Sequence, residues 1–463
     1  MGYAVMEVTP SERRSMGGRV MEWSPSLDSG RRYVTDKLTP DRLVMLLKGA
    51  DSGNLADMLA LWDEMRAKDL FLQGVVNTRR MAVTGLDWEL VSASDMMTKV
   101  RDKKLADEAT EYCRERLQSL RGSDGSSSRK LGFRGLLHHL SGAIGPNFAS
   151  AELIWDGFEL AEFDLVPAHR VLVNPWESPD IRIVTNEDLM GVPMKPGKFV
   201  VHMPNPKPGH PFAVTIARAM AVAYILKHYA VRNWSIFMEV FGIPPRTGTY
   251  PSGCSPDEKS EMARMLKNLG TDAWGLFREG FEFQFHEVNR GSEPYSGFIN
   301  HVERTQAILM LGQNMTTTSV NATGTYSAAT VHENVRYDIL KDDLMSEAEM
   351  VRDQILAWMV ALKFPGRNAA APCFHRRMDN PNDRKLNAEM MDVAVNKLKL
   401  PLAKDYAYAR LGLQKPPDGA KEEDLIGTTP KEATDNGSGS DGTGRTDPGA
   451  EEGAEKGSAA GTS

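Results

Sequence analysis

The chain has 463 residues, 41% of them hydrophobic and 25% charged, with a formal net charge of -7. That length exceeds one simple core and predicts two or more domains. The acidic balance excludes a protein that binds nucleic acid through a basic surface all round, though not one that passes DNA through a channel. Cys113, Cys254 and Cys373 lie far apart and without metal-ligand spacing, which excludes a disulfide framework and suits a reducing compartment.

Residues 1–40 carry Pro10, Pro25 and Pro40 among several glycines and read as an irregular arm, placed on neighbouring copies or partly mobile. Met1–Glu7 has no basic region leading into an apolar one, so no signal peptide is expected. Thr39-Pro40-Asp41 is a helix start, with Thr as N-cap and Pro in the first helical position, and predicts a short helix over 41–48. Leu55, Met58, Leu59, Trp62, Met65 and Leu72 through Val76 recur at three- and four-residue spacing. They predict one helical stretch over 54–83, ended by Gly85. Leu86, Trp88 and Leu90 alternate as in a strand. A second amphipathic helix spans 101–121, stopped by the Gly/Ser cluster 122–128, and a third spans 131–144.

From Phe148 to Met203 the period changes to two. Strands are expected at Ala149–Trp155, Phe158–Leu165, Val171–Val173, Ile181–Val184 and Lys198–His202, which with the preceding helices makes an α+β domain. Pro204–Pro211 is a stiff linker. A long helix then runs from Pro211 to Phe241, stopped by Gly242 and Pro244-Pro245. It is apolar almost all round (Ile216, Met220, Ile225, Trp234, Phe237, Val240) and needs cover on most sides; one chain supplies too little, which points to packing against copies of itself. Its uninterrupted apolar run, Ala219–Leu226, is too short for a membrane span.

An insert from Gly242 to Pro294 follows. Ser255-Pro-Asp-Glu258 is a capping box that opens a helix ended by Gly270, and Phe281, Phe283 and Phe285 alternate along 280–288. The insert reads as a small α/β knob. A helix at 298–313, a charge-free stretch at 314–326 and a long, kinked helix at 327–362 complete the central unit. The charge-free stretch has two readings: a flexible linker, or a loop that touches a polyanion without gripping it, since hydroxyls and amides add no salt-dependent attraction. Beyond Pro365-Gly366, residues 369–378 look loop-like and 383–398 and 402–410 helical. From Gln414 the composition becomes that of a disordered acidic tail.

No convincing catalytic set emerges. Gly191–Lys198 has one residue too many for a P-loop, contains two prolines, and is followed by Phe199; a turn before a strand explains it. His286-Glu287 lacks the second His of a zinc-peptidase motif. His138 and His139 are adjacent on a helix and point apart. Asp342, Asp343, Glu347 and Glu349 form either a carboxylate cluster for metal chemistry or a solvated or channel-facing stripe. Cys254 precedes a helix N-terminus, which can lower a thiol pKa, but has no evident His partner. No cofactor is expected.

At this point several stretches in fixed order carry a resemblance. They are Leu61-Trp-Asp-Glu-Met-Arg-Ala-Lys-Asp69, Arg79-Arg-Met-Ala-Val-Thr-Gly-Leu-Asp-Trp88, Asn174-Pro-Trp176, Lys198-Phe-Val-Val-His202 and Glu239-Val-Phe-Gly-Ile-Pro-Pro245. Ile308-Leu-Met-Leu-Gly-Gln-Asn-Met-Thr-Thr317 and Leu411-Gly-Leu-Gln-Lys-Pro-Pro417 complete the set. The chain resembles the portal proteins of tailed bacteriophages, in their Mu-like branch.

The resemblance implies a ring, a dodecamer in the virion, at one capsid vertex, through which double-stranded DNA passes in packaging and ejection. It divides the chain into an arm (1–40), an α+β wing (41–210), stem helices (211–241 and 298–313) and a clip (242–297). A tunnel loop (314–326), a long wing helix (327–362), a helical crown (363–413) and the tail (414–463) follow. The tunnel loop would present Asn314, Thr316, Thr317, Thr318, Ser319, Asn321, Thr323, Thr325 and Tyr326 to DNA. The clip would offer Lys259, Arg264, Lys267 and Arg278 to the terminase large subunit and later to the head–tail connector. Arg218, Lys227, Arg232, Trp234 and Phe237 would lie between stem helices of neighbouring subunits. Capsid and scaffold proteins would be further partners, with no membrane and no enzymatic activity, and assembly would take place in the bacterial cytoplasm. Two other readings stay open: a non-ring head or tail adaptor, and a metal-dependent enzyme built on the Asp342-Asp343 or His286-Glu287 region.

Overall fold

The computed structural model describes residues 16–21, 33–96, 102–124, 130–174, 180–205, 215–241, 246–268, 274–279, 293–313, 326–367, 369–377, 381–402, 404–411 and 413. They fall into two units, divided after Met378.

The first unit opens with helix α1 (Pro40–Asp51), capped as expected by the Thr39 hydroxyl accepting from the Arg42 amide. The expected single helix over 54–83 is two, α2 (Ala56–Lys68) and α3 (Leu70–Thr84). Asp69 breaks it: its backbone turns extended, and its carboxylate accepts from the amides of Phe71 and Leu72, so it is the N-cap of α3. The apolar spacing runs through the break because both helices face the same core. Strand β1 (Trp88–Val91), a short helix α4 (Ala93–Met96) and helix α5 (Lys103–Ser119) follow. Strand β2 (Arg121–Ser123) falls where a Gly/Ser helix stop was expected. Helix α6 (Phe133–Leu140) continues as a 3₁₀ turn to Ile144.

The alternating region forms β3 (Ala149–Asp156), β4 (Glu159–Leu165), β5 (Val171–Asn174), β6 (Asp180–Ile183), β7 (Val192–Pro193) and β8 (Phe199–His202). Only β7 was not anticipated. One sheet has the order β2-β4-β3-β8, with β2 parallel to β4 and the other neighbours antiparallel; another is β5-β6-β7, antiparallel throughout.

Helix α7 (Ile216–Phe241) is followed by β9 (Arg246–Tyr250), α8 (Pro256–Asn268) and β10 (Trp274–Arg278), with β9 and β10 parallel. The knob is therefore a strand–helix–strand unit whose helix makes the crossover that a parallel pair requires. Both strands lie outside the 280–288 segment expected to alternate, which falls beyond the described residues. The capping box is present: the Ser255 amide donates to the Glu258 carboxylate (2.8 Å) and the Glu258 amide to the Ser255 hydroxyl (3.3 Å).

Helix α9 (Glu293–Leu311) lies beside α7 and α3. The long helix after the polar stretch is α10 (Tyr326–Val351), one π-helical turn (Arg352–Leu356) and α11 (Ala357–Lys363). Residues 373–376, expected as loop, form β11 (Cys373–Arg376), paired antiparallel with β1 from Trp88↔Arg376 to Val91↔Cys373.

Two apolar cores hold this unit. One gathers α5, α6, β3, β4 and the end of the long helix around Phe163, Leu153, Leu137 and Met359. The other joins α1–α3, β5, β6, α7 and α9 around Leu61, Trp62, Leu72 and Met220. The described parts of the N-terminal arm join these cores rather than extending away: Met16 packs in the first, Val34 and Leu38 in the second. The buried Lys198–Glu152 pair (3.0 Å) explains part of this, because Glu152 also accepts from the amides of Val20 and Met21. This use of Lys198 also removes it from any phosphate-binding role.

The second unit holds α12 (Pro381–Asp392), which continues as a π turn to Lys397, and α13 (Lys404–Leu411). The acidic tail from Gln414 lies outside the described residues.

Candidate functional site

The polar stretch is flanked by α9 and α10, and both are fastened to the α+β body by buried charge. Helix α9 ends at Gly312, whose φ of +70° is a left-handed C-terminal stop. A Cβ there would stand 2.7 Å from side-chain methyls of Val335 and Ile339 of α10, which would have to shift to admit any other residue. At this junction Arg79 reaches in from α3. Its Nε and Nη2 donate to the two carboxylate oxygens of Asp343 (2.8 and 2.9 Å), and its Nη1 donates to the Met310 carbonyl (3.0 Å). One guanidinium thus holds the last turn of α9 and the middle of α10, using the planar fork that only arginine offers.

One turn along α10, Glu347 receives a second fork. Arg376 of β11 donates through Nε and Nη2 (2.5 and 2.9 Å), and both side chains are at most 3% exposed. The remaining nitrogen goes to the Leu86 carbonyl and the Phe374 ring lies 5.8 Å away. Between the two pairs, Ser346 meets Nε2 of His202 (3.2 Å), whose Nδ1 faces the Leu140 carbonyl (2.9 Å). Burial pushes the His202 imidazole below its ordinary range, against the raising influence of that carbonyl, Glu347 and Asp343. In the π turn, the Gln354 amide both accepts from the Val201 N–H and donates to the Val201 carbonyl (2.8 Å each). A side chain here closes the open edge of β8 as a further strand would.

These contacts revise the reading of the acidic residues on the long helix. Asp343 and Glu347, four apart, share the buried face with Met350 and Val351, while Asp342 and Glu349 are exposed. Asp343 and Glu347 are thus internal anchors, while Asp342 and Glu349 lie on a solvated face. No three metal-ligating side chains converge among the described residues.

The helix pair α7–α9 is fastened similarly. Lys227 donates to Asp69 (2.8 Å) and sits 2.8 Å from Glu303 of α9, with the Phe71 ring 5.5 Å from its ammonium. Gln306 also approaches Asp69 (3.5 Å). Arg218 pairs with Asp51 (2.5 and 3.0 Å). Lys227 and Arg218, expected between subunits, thus have carboxylate partners within the chain. Phe237 packs on Tyr295 of α9, with centroids 5.8 Å apart. Trp234 is half-buried, its indole nitrogen without a hydrogen-bond partner among the described residues. Arg232 is exposed.

Further along α7, apolar side chains face outward. Val222, Leu226 and Ile236 form one stripe and Val231 and Met238 another, each residue between 43% and 50% exposed. At about 100° per residue the stripes lie roughly half a turn apart.

In the knob, Lys259 lies 4.7 Å from the Tyr250 ring centre, and Arg264, Lys267 and Arg278 are exposed. The thiol of Cys254 is pushed up, not down, first through lost hydration and then through the hydrogen bond and negative charge of Glu258. His139 and His138 point apart as expected, the first onto the Ser150 carbonyl (3.0 Å). Asn314, Thr316, Thr317, Thr318, Ser319, Asn321, Thr323 and Thr325 lie outside the described residues, as does His286-Glu287; Tyr326 opens α10. Arg79, Asp69 and Arg376 were not singled out from sequence. Their partners stand far away in the chain, and only the Asp343/Glu347 spacing, in phase with the apolar face, was a usable signal.

Residues 59–413 match the family model described as the portal protein of Mu bacteriophage. The portal protein of Escherichia phage Mu is 24% identical over 352 residues, covering 75% of this chain and 65% of that protein, just under two thirds of its length. A Mu-like prophage FluMu protein gp29 of Haemophilus influenzae is 25% identical over 396 residues, covering 79% of this chain and 71% of the relative. Among solved structures, a chain of a native gene transfer agent virion overlaps with a TM-score of 0.48 at 12% identity, covering 81% of this chain and 95% of that one.

Proposed function

The chain belongs to the portal protein family of Mu bacteriophage, and from that premise we propose that it assembles into a ring at one capsid vertex, as the conduit for double-stranded DNA during packaging and ejection. The observation that carries the ring is α7. A closed ring of identical subunits needs two different faces on each copy, one for each neighbour. Helix α7 offers two exposed apolar stripes roughly half a turn apart, on either side of the face that α9 covers. Apolar side chains aligned on two exposed faces of one helix fit such an interaction site.

In this reading α7 and α9 are the stem, and Trp234, Phe237 and Arg232 lie along the contact between subunits. The unit β9–α8–β10 is the clip, whose Lys259, Arg264, Lys267 and Arg278 meet the terminase large subunit and later the head–tail connector. Residues 314–326 line the channel; their lack of charge lets DNA slide without salt-dependent drag. The α+β body is the wing, in contact with capsid and scaffold proteins, and residues 363–413 are the crown. The chain supplies shape and docking, while the terminase supplies the energy. None of the described helices is long and apolar enough to cross a membrane.

The test is electron microscopy of the purified, untagged protein together with its mass in solution. Rings with a central hole are expected, twelve-fold in the virion. A monodisperse monomer or dimer across a range of protein and salt concentrations overturns the reading.

A further inference from the structure

We propose that Arg79 is a positioning residue of the channel, the latch that sets where the last turn of α9, which leads into the polar loop, stands against the middle of α10, which follows it. The proposal rests on the reading of 314–326 as channel lining. The observations that carry it lie entirely within well-packed helices. Arg79 sits near the end of α3, in the body of the chain, and bonds both flanking helices at once: Met310 in the last turn of α9 and Asp343 in α10. The pair is largely buried, at 14% and 6% side-chain exposure. Water therefore competes poorly for it.

Two further features make the junction a fixed spacer. Gly312 brings α9 against the Val335 and Ile339 side chains, whose methyls a Cβ would have to displace. At the opposite end of α3, Asp69 binds Lys227 of α7 and approaches Gln306 of α9. Helix α3 thus holds the α7–α9 pair at one end and the foot of the loop at the other, about 15 Å apart for ten helical residues. The bond to Met310 is to a backbone carbonyl and survives any change of side chain there, so the latch depends on the guanidinium and on Asp343.

The second arginine–carboxylate fork provides a matched control. Glu347–Arg376 has the same chemistry and comparable burial one turn along the same helix, but it ties α10 to β11 and not to α9. If both pairs only stabilise the fold, their loss has the same consequences. The experiment compares R79K, R79Q, D343N and E347Q in the full-length protein within particles. It reads melting temperature and ring yield of the purified protein, and DNA-filled particles per assembled ring.

The expected result is that R79Q and D343N lower filled particles per ring about tenfold or more. The R79Q/D343N double variant is no worse than either single, because both remove one interaction. R79K, which keeps charge but loses the fork, falls between. E347Q loses filled particles only in proportion to its ring yield. Equal losses per ring for D343N and E347Q overturn the proposal, as does R79Q at the wild-type level. Should R79Q not assemble, R79K and D343N decide by the same criteria. Deletion of 316–323 separates the two levels. If the deleted rings package normally, the channel-lining reading fails and the latch with it; if they do not package while R79Q rings do, the latch alone fails.

Discussion

Arg376 and Glu347 meet where neither reaches water, and the same is nearly true of Arg79 and Asp343. Buried pairs of this kind add little net stability over an apolar substitute, but removing one partner strands the other. Arg376→Ala is therefore expected to cost about 3–5 kcal/mol, read as a lowered denaturant midpoint at unchanged slope; a loss under about 1 kcal/mol would show that Glu347 finds water after all. His139 gives a pH prediction. Desolvation lowers its pKa to about 4, against a bond to the Ser150 carbonyl that raises it. The unfolded imidazole titrates near 6.5, so between those values the unfolded chain binds more protons than the folded one. This contribution to stability is complete above about pH 6.5 and is lost as pH falls towards 4, and His138 and His202, both lowered chiefly by burial, act in the same sense. The urea midpoint should fall between pH 7 and 4.5, with His139→Gln flattening that slope; an identical slope in the variant would remove His139 from the account. None of these partners was legible in the sequence. A charged residue announces that it needs a partner when it falls in phase with an apolar face, as Asp343 does, but not which residue, 264 positions away, will supply it.

At the level of elements, local signals were reliable where the chain makes its own contacts. The Thr39 cap and the Ser255/Glu258 capping box needed only neighbouring residues, and both formed as read. Ser255→Ala should cost about 1 kcal/mol. It should appear as faster amide exchange confined to α8; unchanged exchange there would mean that the knob is held by other contacts. Signals failed where tertiary pairing decides. Cys373-Phe-His-Arg376 is too short and too polar to stand out as a strand, and its register is set by Trp88–Val91, far earlier in the chain. Thr247-Gly-Thr249 in β9 lacks an apolar alternation, because its pairing with β10 is made by the backbone. The break at Asp69 was invisible to periodicity, since α2 and α3 present their apolar residues to one core. The kink expected in the long helix is a π turn, and its Gln354 has a defined task at the edge of β8. Gln354→Ala leaves a backbone donor and acceptor of Val201 without that partner and should cost about 1–3 kcal/mol.

For the whole molecule, the informative property is the mismatch between α7 and the material available to cover it. The sequence shows a helix apolar on nearly every side; the fold buries one side of its first half against α1, α2 and α9 and leaves Val222, Leu226, Val231, Ile236 and Met238 facing outward. A lone chain would carry this surface as an aggregation hazard, and the proposed ring would remove it by presenting each stripe to a different neighbour. Leu226→Glu with Ile236→Glu places two charges on one stripe while leaving the intrachain contacts of Lys227, Phe237 and Ala221 in place. Burying two unpaired carboxylates against an apolar neighbour costs several kcal/mol per contact, and that cost would recur at every interface of the proposed ring. The expected outcome is a soluble monomer with an unchanged far-ultraviolet circular dichroism spectrum and no rings by electron microscopy. A variant that still forms rings would place the contact between subunits elsewhere, and the covering of α7 would then have to come from a partner other than its own copies.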